Sequence, residues 1–229
     1  FAQTSNNALA ALQSLPGAFS ELIRLCEERY DIDYTIVDLN PGLSAINQNL
    51  FLVSDSFIIP TNPDPFSLMA IETLGATLPK WGAWKTEAVR LFAGAAYPMP
   101  EGSPYLIGSL IQRFNVRNGR AARPYRDNIG EIKEKFRDGF FDSLQTAGMT
   151  LELERYPEDL RQDGFCLGEI PDFQGLLPKA LSAGVPVFEV TDQEIAETGP
   201  VLENLQANRE RFERHFCEIV SRIERTVVR

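Results

Sequence analysis

The stretch "YDIDYTIVDLNPG", residues 30–42, decides how the chain reads. Tyr34, Thr35, Ile36 and Val37 are strand formers, and they run into Asp38. Asn40-Pro41-Gly42 cannot extend a strand and marks a turn. A nearly continuous apolar run at 33–38 predicts a strand covered on both faces. Asp38 then ends a central strand, where a carboxylate is costly without compensation. It reads either as a turn-forming aspartate facing solvent or as a ligand-managing acid.

Working outward, residues 5–29 predict a helix divided at Pro16-Gly17, and 43–54 a second helix capped by Ser44 or Asn40. "SFIIP" (56–60), "YLIGSLIQRF" (105–114) and "FCLGEIP" (165–171) predict short buried strands, and "VPVFEV" (185–190) an edge strand because it holds Pro186. Residues 67–78 predict a helix ending before Pro79, and 80–104 an ornamented connection. Residues 127–145 predict an amphipathic helix with Ile129, Ile132, Phe136 and Phe140 or Phe141 on one face. Residues 171–184 predict a helix closed by Gly184, and the chain from Pro200 onward a long helix. Strands alternating with helices imply an α/β fold, a mainly parallel sheet with helices on both faces. Ligands in such folds sit at the carboxyl ends of the strands.

Composition narrows the function. The chain has 229 residues, 44% hydrophobic and 24% charged, as a globular domain does. A net charge of −10 excludes a protein that coats nucleic acid with its whole surface. No apolar run spans a membrane, and the start does not read as a signal peptide. Cys26, Cys166 and Cys217 are too scattered for a disulfide framework or metal cluster, which fits a reducing cytoplasm, the expected location.

The order of the pieces, not any single motif, resembles the ParA/MinD family of P-loop ATPases. The resemblance runs through Tyr30-Asp31, Asp33-Tyr34, Asp38, Pro41-Gly42, Asp55, Ile59-Pro60, Pro63, Phe66-Ser67 and Leu68. It continues in "YLIGSLIQRFNVRNGR", "GEIPDFQGLLPKALSAGVPVFEV" and the terminal "FERHFCEIVSRIERTV". It implies a P-loop NTPase-like fold, incomplete at the N-terminus, in a single α/β domain over 1–229, with 80–104 as a family-specific insertion.

It further implies ATP with Mg²⁺. Asp38 would be the catalytic acid that holds Mg²⁺ through water, and Pro41-Gly42 the switch loop. Thr61, Asn62, Pro63, Arg113 and Pro171 would line the nucleotide crevice. The partners implied are a homodimer, DNA, and a partition-type partner protein, with a nucleoid-associated location. No GxxxxGK[ST] occurs in these 229 residues. ATP hydrolysis is therefore expected if that cradle precedes Phe1, in a longer protein. The alternative is a non-catalytic interaction module that has lost the nucleotide site.

Arg113, Arg117, Arg120, Arg123 and Arg126 form a block without an acid among them. Guanidinium forks suit phosphate oxygens, so Arg117, Arg120, Arg123 and Arg126 are candidate contacts to the DNA backbone or a partner. A solvated loop whose arginines pair with neighbouring carboxylates is the competing reading. His215 reads as a surface or packing residue. Trp81 and Trp84 read as core.

Overall fold

The computed structural model describes residues 2–117 and 120–227, with side chains from Leu15 onward. Its elements, in chain order, are helices α1 (Ala2–Tyr30) and α2 (Ala45–Val53), strand β1 (Ser56–Thr61), α3 (Pro65–Leu91), β2 (Tyr105–Gln112), β3 (Val116–Arg117) and β4 (Arg120–Ala121). Then follow α4 (Arg123–Lys135), α5 (Phe141–Thr146), α6 (Glu158–Gln162), β5 (Cys166–Ile170), α7 (Leu176–Ala183), α8 (Asp192–Ile195) and α9 (Gly199–Val227).

β1, β2 and β5 form one sheet in the order β1-β2-β5. β2 and β5 pair in parallel. Tyr105 N–H donates to the Asp55 carbonyl, and Thr61 Oγ1 to the Leu110 carbonyl, so β1 and β2 also advance together. The chain is thus a parallel α/β fold flanked by helices, as the alternation of strands and helices predicts. β1 is an edge among the described strands, which suits Pro60, a residue with no N–H for a ladder. Contacts divide the chain into two compact units.

Unit 1 holds Phe1–Phe57, Ile71–Leu106 and Asp138–Leu153. Phe51 packs between Phe57 and Trp81, with ring centroids 4.9 and 5.7 Å away. Trp81 is therefore a packing residue, whereas Trp84 is exposed. Ser44 caps α2 by accepting from Asn47 N–H. At the other end of α2, buried Lys85 donates to the Leu52 carbonyl at 2.5 Å. That carbonyl is among those a helix C-terminus leaves unpaired, and a cation suits the negative end of the helix dipole. Burial holds the Lys85 amine below its ordinary pKa, against the pull of Asp55.

Three expectations about this unit change. α1 runs through Pro16-Gly17 without a break. α3 continues past Pro79 to Leu91, so residues 80–91 are helix with Gly82, Lys85 and Ala88 buried. Proline lacks the N–H that would reach the carbonyl four residues back. Here Ser143 Oγ reaches the Gly75 carbonyl instead, at 2.8 Å. Third, "DYTIVD" is not a strand. Ile36 is 92% exposed and Tyr34 72%. A strand exists by pairing, and among the described residues no ladder reaches this stretch.

Unit 2 holds Ile58–Ala70, Ile107–Arg137 and Glu154–Arg229. Gly108 and Gly168 let its layers close up. A methyl on Gly108 would lie 2.5 Å from the Phe165 carbonyl oxygen, and one on Gly168 2.6 Å from Ile219 Cγ1. α9 is therefore seated directly on β5. Arg222 fastens it by donating to the Cys166 and Leu167 carbonyls at 2.9 and 3.2 Å. A second apolar cluster joins Leu176, Ala180, Val187, Val190, Ile195 and Phe212.

Residues 185–190 belong to this cluster, but as a turn and not an edge strand. Glu189 N–H donates to the Pro186 carbonyl, which reverses the chain while burying Val187 and Val190. The helix expected at 127–145 starts earlier, at Arg123, and breaks at Gly139, whose φ of 128° is open to glycine. The predicted apolar face holds as far as the break, with Ile129, Ile132 and Phe136 buried, and Phe140 and Phe141 are buried beyond it in unit 1. Gly184 closes α7 in the left-handed conformation as expected.

Candidate functional site

The carboxyl ends of β1, β2 and β5 lie together in unit 2. They carry Thr61, Asn62, Pro63, Arg113 and Pro171, residues singled out from sequence. Neighbouring strands are about 4.8 Å apart, so the outer two ends are about 10 Å from each other.

The loop after β1 is built by its own hydrogen bonds. Asp64 Oδ1 accepts from Ser67 N–H at 2.8 Å and caps α3. Ser67 Oγ accepts from Asn62 N–H at 3.0 Å. The Pro63 carbonyl accepts from Asn128 Nδ2 at 2.9 Å, which ties the loop to α4. Thr61 is buried, and its hydroxyl is engaged by the Leu110 carbonyl at 3.2 Å. Asn62 Oδ1 is buried and has no hydrogen-bond partner among the described residues. A buried polar atom left unpaired is costly and suits a ligand donor.

The ladder continues past β2 and β5. Arg113 N–H donates to the Ile170 carbonyl, and Asp172 N–H to the Phe114 carbonyl, both at 3.0 Å. Arg113 has a φ of 61°, unusual for a residue with a side chain, and is exposed. Pro171 lines a cavity of about 200 Å³ together with Glu169, Arg211, Phe212 and His215. Phe212 supplies a buried aromatic wall, and Arg211 lies over its ring at 5.3 Å.

Glu169 is not a free acid. Lys133 Nζ contacts both Glu169 and Asp163 at 2.6 Å. Burial alone would lower the Lys133 pKa, but the bonds to the two carboxylates outweigh it and hold the ammonium well above its usual range. Residues 30 or more positions apart meet here, and nothing local in the sequence announces it. His215 is a packing residue, as expected, half-buried against Gly168.

Asp38, Pro41 and Gly42 belong to unit 1. Asp38 is exposed and lies on no strand, so it does not end a central strand. The turn after it is firmly shaped. Asn47, buried on α2, donates through Nδ2 to the Asn40 and Gly42 carbonyls at 2.6 and 2.8 Å. Asn47 escaped the sequence reading because an amide inside a helix carries no local signature of a loop clamp. Gly42, at a φ of 123°, fills a conformation that side chains disfavour.

Arg113, Arg117, Arg120, Arg123 and Arg126 are all exposed, and none is in an ion pair among the described residues. The competing reading of a solvated loop keeps its exposure to solvent, without ion pairs to acids among the described residues. Arg117 and Arg120 face each other across the β3–β4 pair, and Arg123 opens α4.

Comparison with known families gives one result. Residues 3–86 match the family model of an AAA domain. This is a P-loop ATPase type of domain, and ParA/MinD-like ATPases are among its members. The AAA-type stretch holds Asp38, the Asn47-clamped turn, and the loop from Thr61 to Ser67. No curated protein and no solved structure matches the chain.

Asn62 Oδ1 is an unused acceptor among the described residues, and the cavity beside Pro171 has an apolar wall, features compatible in kind with a planar polar base. The described residues do not form a phosphate cradle, and no group of three or more His, Cys, Asp or Glu among them could hold a metal ion. No described helix is long and apolar enough to cross a membrane.

Proposed function

We propose that the chain works as part of a ParA-like ATPase, binding ATP with Mg²⁺ and using nucleotide state to switch dimerisation and contacts with DNA or a partner protein. The observation that carries this reading is the AAA-domain match over the segment containing Asp38, Pro41, Gly42 and Thr61–Pro63. Asp38 would meet Mg²⁺ through a coordinated water, which suits an exposed carboxylate. Pro41-Gly42 would respond to the γ-phosphate, with Asn47 as its hinge. Asn62 and Pro171 would receive the base. The lysine and hydroxyl that hold the phosphates are outside these 229 residues in this scheme, so no hydrolytic step is assigned to a residue here.

Five exposed, unpaired arginines in a chain of net charge −10 support a focused phosphate contact. DNA backbone is the partner this patch favours. Light scattering with ATP·Mg²⁺, ADP·Mg²⁺ and no nucleotide tests the switch. ATP-dependent dimerisation supports it, and an unchanged mass in all three conditions defeats it.

A second reading, a non-catalytic interaction module, draws on a different observation. Tyr30, Ile32, Tyr34 and Ile36 expose a run of apolar side chains in unit 1. Protein capture without any nucleotide dependence would favour it.

A further inference from the structure

The other end of β5 carries a separate cavity. Its volume is about 570 Å³, and Glu154, Arg155, Tyr156, Glu158, Arg161 and Arg225 line it. It lies at the amino end of the strand, away from Pro171. Tyr156 meets Phe165, the residue before β5, edge to face at 5.3 Å, and Phe165 N–H donates to the Leu160 carbonyl on α6.

Most of the charges there are accounted for. Arg225 grips Asp159 through two bonds of 3.1 Å. Glu158 accepts from Gln162 Nε2 at 2.8 Å. Arg161 differs. Its Nε is buried, and among the described residues that atom has no hydrogen-bond partner and the guanidinium is in no ion pair. Guanidinium is always charged, so the group cannot escape by losing its proton. Arg161 is half-buried, so an N–H without an acceptor is costly there, while the rest of the fork stays open to a partner from outside the protein. Water would satisfy one N–H, but the planar fork matches two oxygens of a carboxylate or phosphate.

We propose that this cavity is a binding site for a small oxyanion, with the Arg161 guanidinium as its principal donor. The ligand class is a small molecule bearing one phosphate or carboxylate group. The volume falls within the roughly 300–1,000 Å³ of small-molecule sites. Glu154 and Glu158 on the wall disfavour a polyanionic chain, which separates this site from the arginine block at 113–126.

The Nε–H resonances of arginine side chains in ¹H–¹⁵N spectra test this directly. The full chain is titrated with inorganic phosphate and, separately, with malonate, each at constant ionic strength set by chloride. The Arg161 Nε–H is expected to move saturably with at least one anion, and the responding anion identifies the ligand chemistry. Arg161→Gln should weaken that binding by about tenfold or more, as loss of a charge-assisted pair does. Arg117→Gln should leave it unchanged, which separates this site from the proposed DNA contact. Silence from both anions overturns the proposal, as does unchanged affinity in Arg161→Gln. If Arg161→Gln does not fold, the wild-type titration decides alone.

Discussion

Ser143 Oγ donates to the carbonyl of Gly75 at 2.8 Å, across 68 residues of chain. That carbonyl lost its helical partner because Pro79 has no N–H. The absence of a side chain on Gly75 also matters: a methyl there would stand 3.3 Å from the Phe140 ring. One hydroxyl thus lets α3 run through a proline and carry Lys85 to the end of α2.

Ser143→Ala should destabilise the protein by about 1–2 kcal/mol, the cost of a carbonyl left without its hydrogen bond. In a Pro79→Ala background the same change should cost less, because an alanine at that position supplies the missing N–H. Urea unfolding of the four-member mutant cycle measures the difference.

Gly168→Ala should destabilise by about 1–3 kcal/mol through overpacking against Ile219. Ile219→Val in the same chain should recover part of that loss. Chemical denaturation of the single and double variants compares them.

Burial pushes the Cys166 thiol up to about 12, despite the neighbouring Lys133 ammonium. An unfolded thiol ionises near 8.5. The folded value is the higher one, so this contribution to stability is complete below about pH 8.5. It declines as pH rises from there towards about 12. Unfolding free energies from pH 7 upward should show the fall, and Cys166→Ala should flatten that part of the profile. Exposed Cys26 and Cys217 should react with a thiol reagent before Cys166 does.

The pairing of Arg117 and Arg120 across β3 and β4 predicts additive phosphate contacts. Changing both to Gln should weaken duplex binding regardless of base sequence. It should also reduce the salt slope by about 2, near 0.9 for each contact removed. Fluorescence anisotropy at several salt concentrations gives both quantities.

Periodic features were legible in the sequence. Ile129, Ile132 and Phe136 announced the buried face of α4, and Gly184 announced the end of α7. The three sheet strands could be read from their apolar runs. What escaped depends on partners distant in sequence. Pro79 reads as a helix stop until Ser143 is in view. "VPVFEV" has a strand's composition, but Pro186 turns it and Phe212 covers it. "DYTIVD" has strand-forming residues, yet composition cannot supply a pairing neighbour. The site divided the same way. Asn62 and Pro171 could be placed at strand ends by topology, whereas the Asn47 clamp and the Lys133 network depend on residues brought together only by the fold.

Calorimetric titration with ATP·Mg²⁺ of the protein extended upstream of Phe1 to include the phosphate-binding lysine tests most directly whether the strand ends at Asn62 and Pro171 receive a nucleotide. Saturable binding is expected, weakened about tenfold or more by Asn62→Leu. Asp38→Ala is expected to remove the dependence on Mg²⁺. Absence of saturable heat, or equal affinity in Asn62→Leu, would contradict that role for the strand ends.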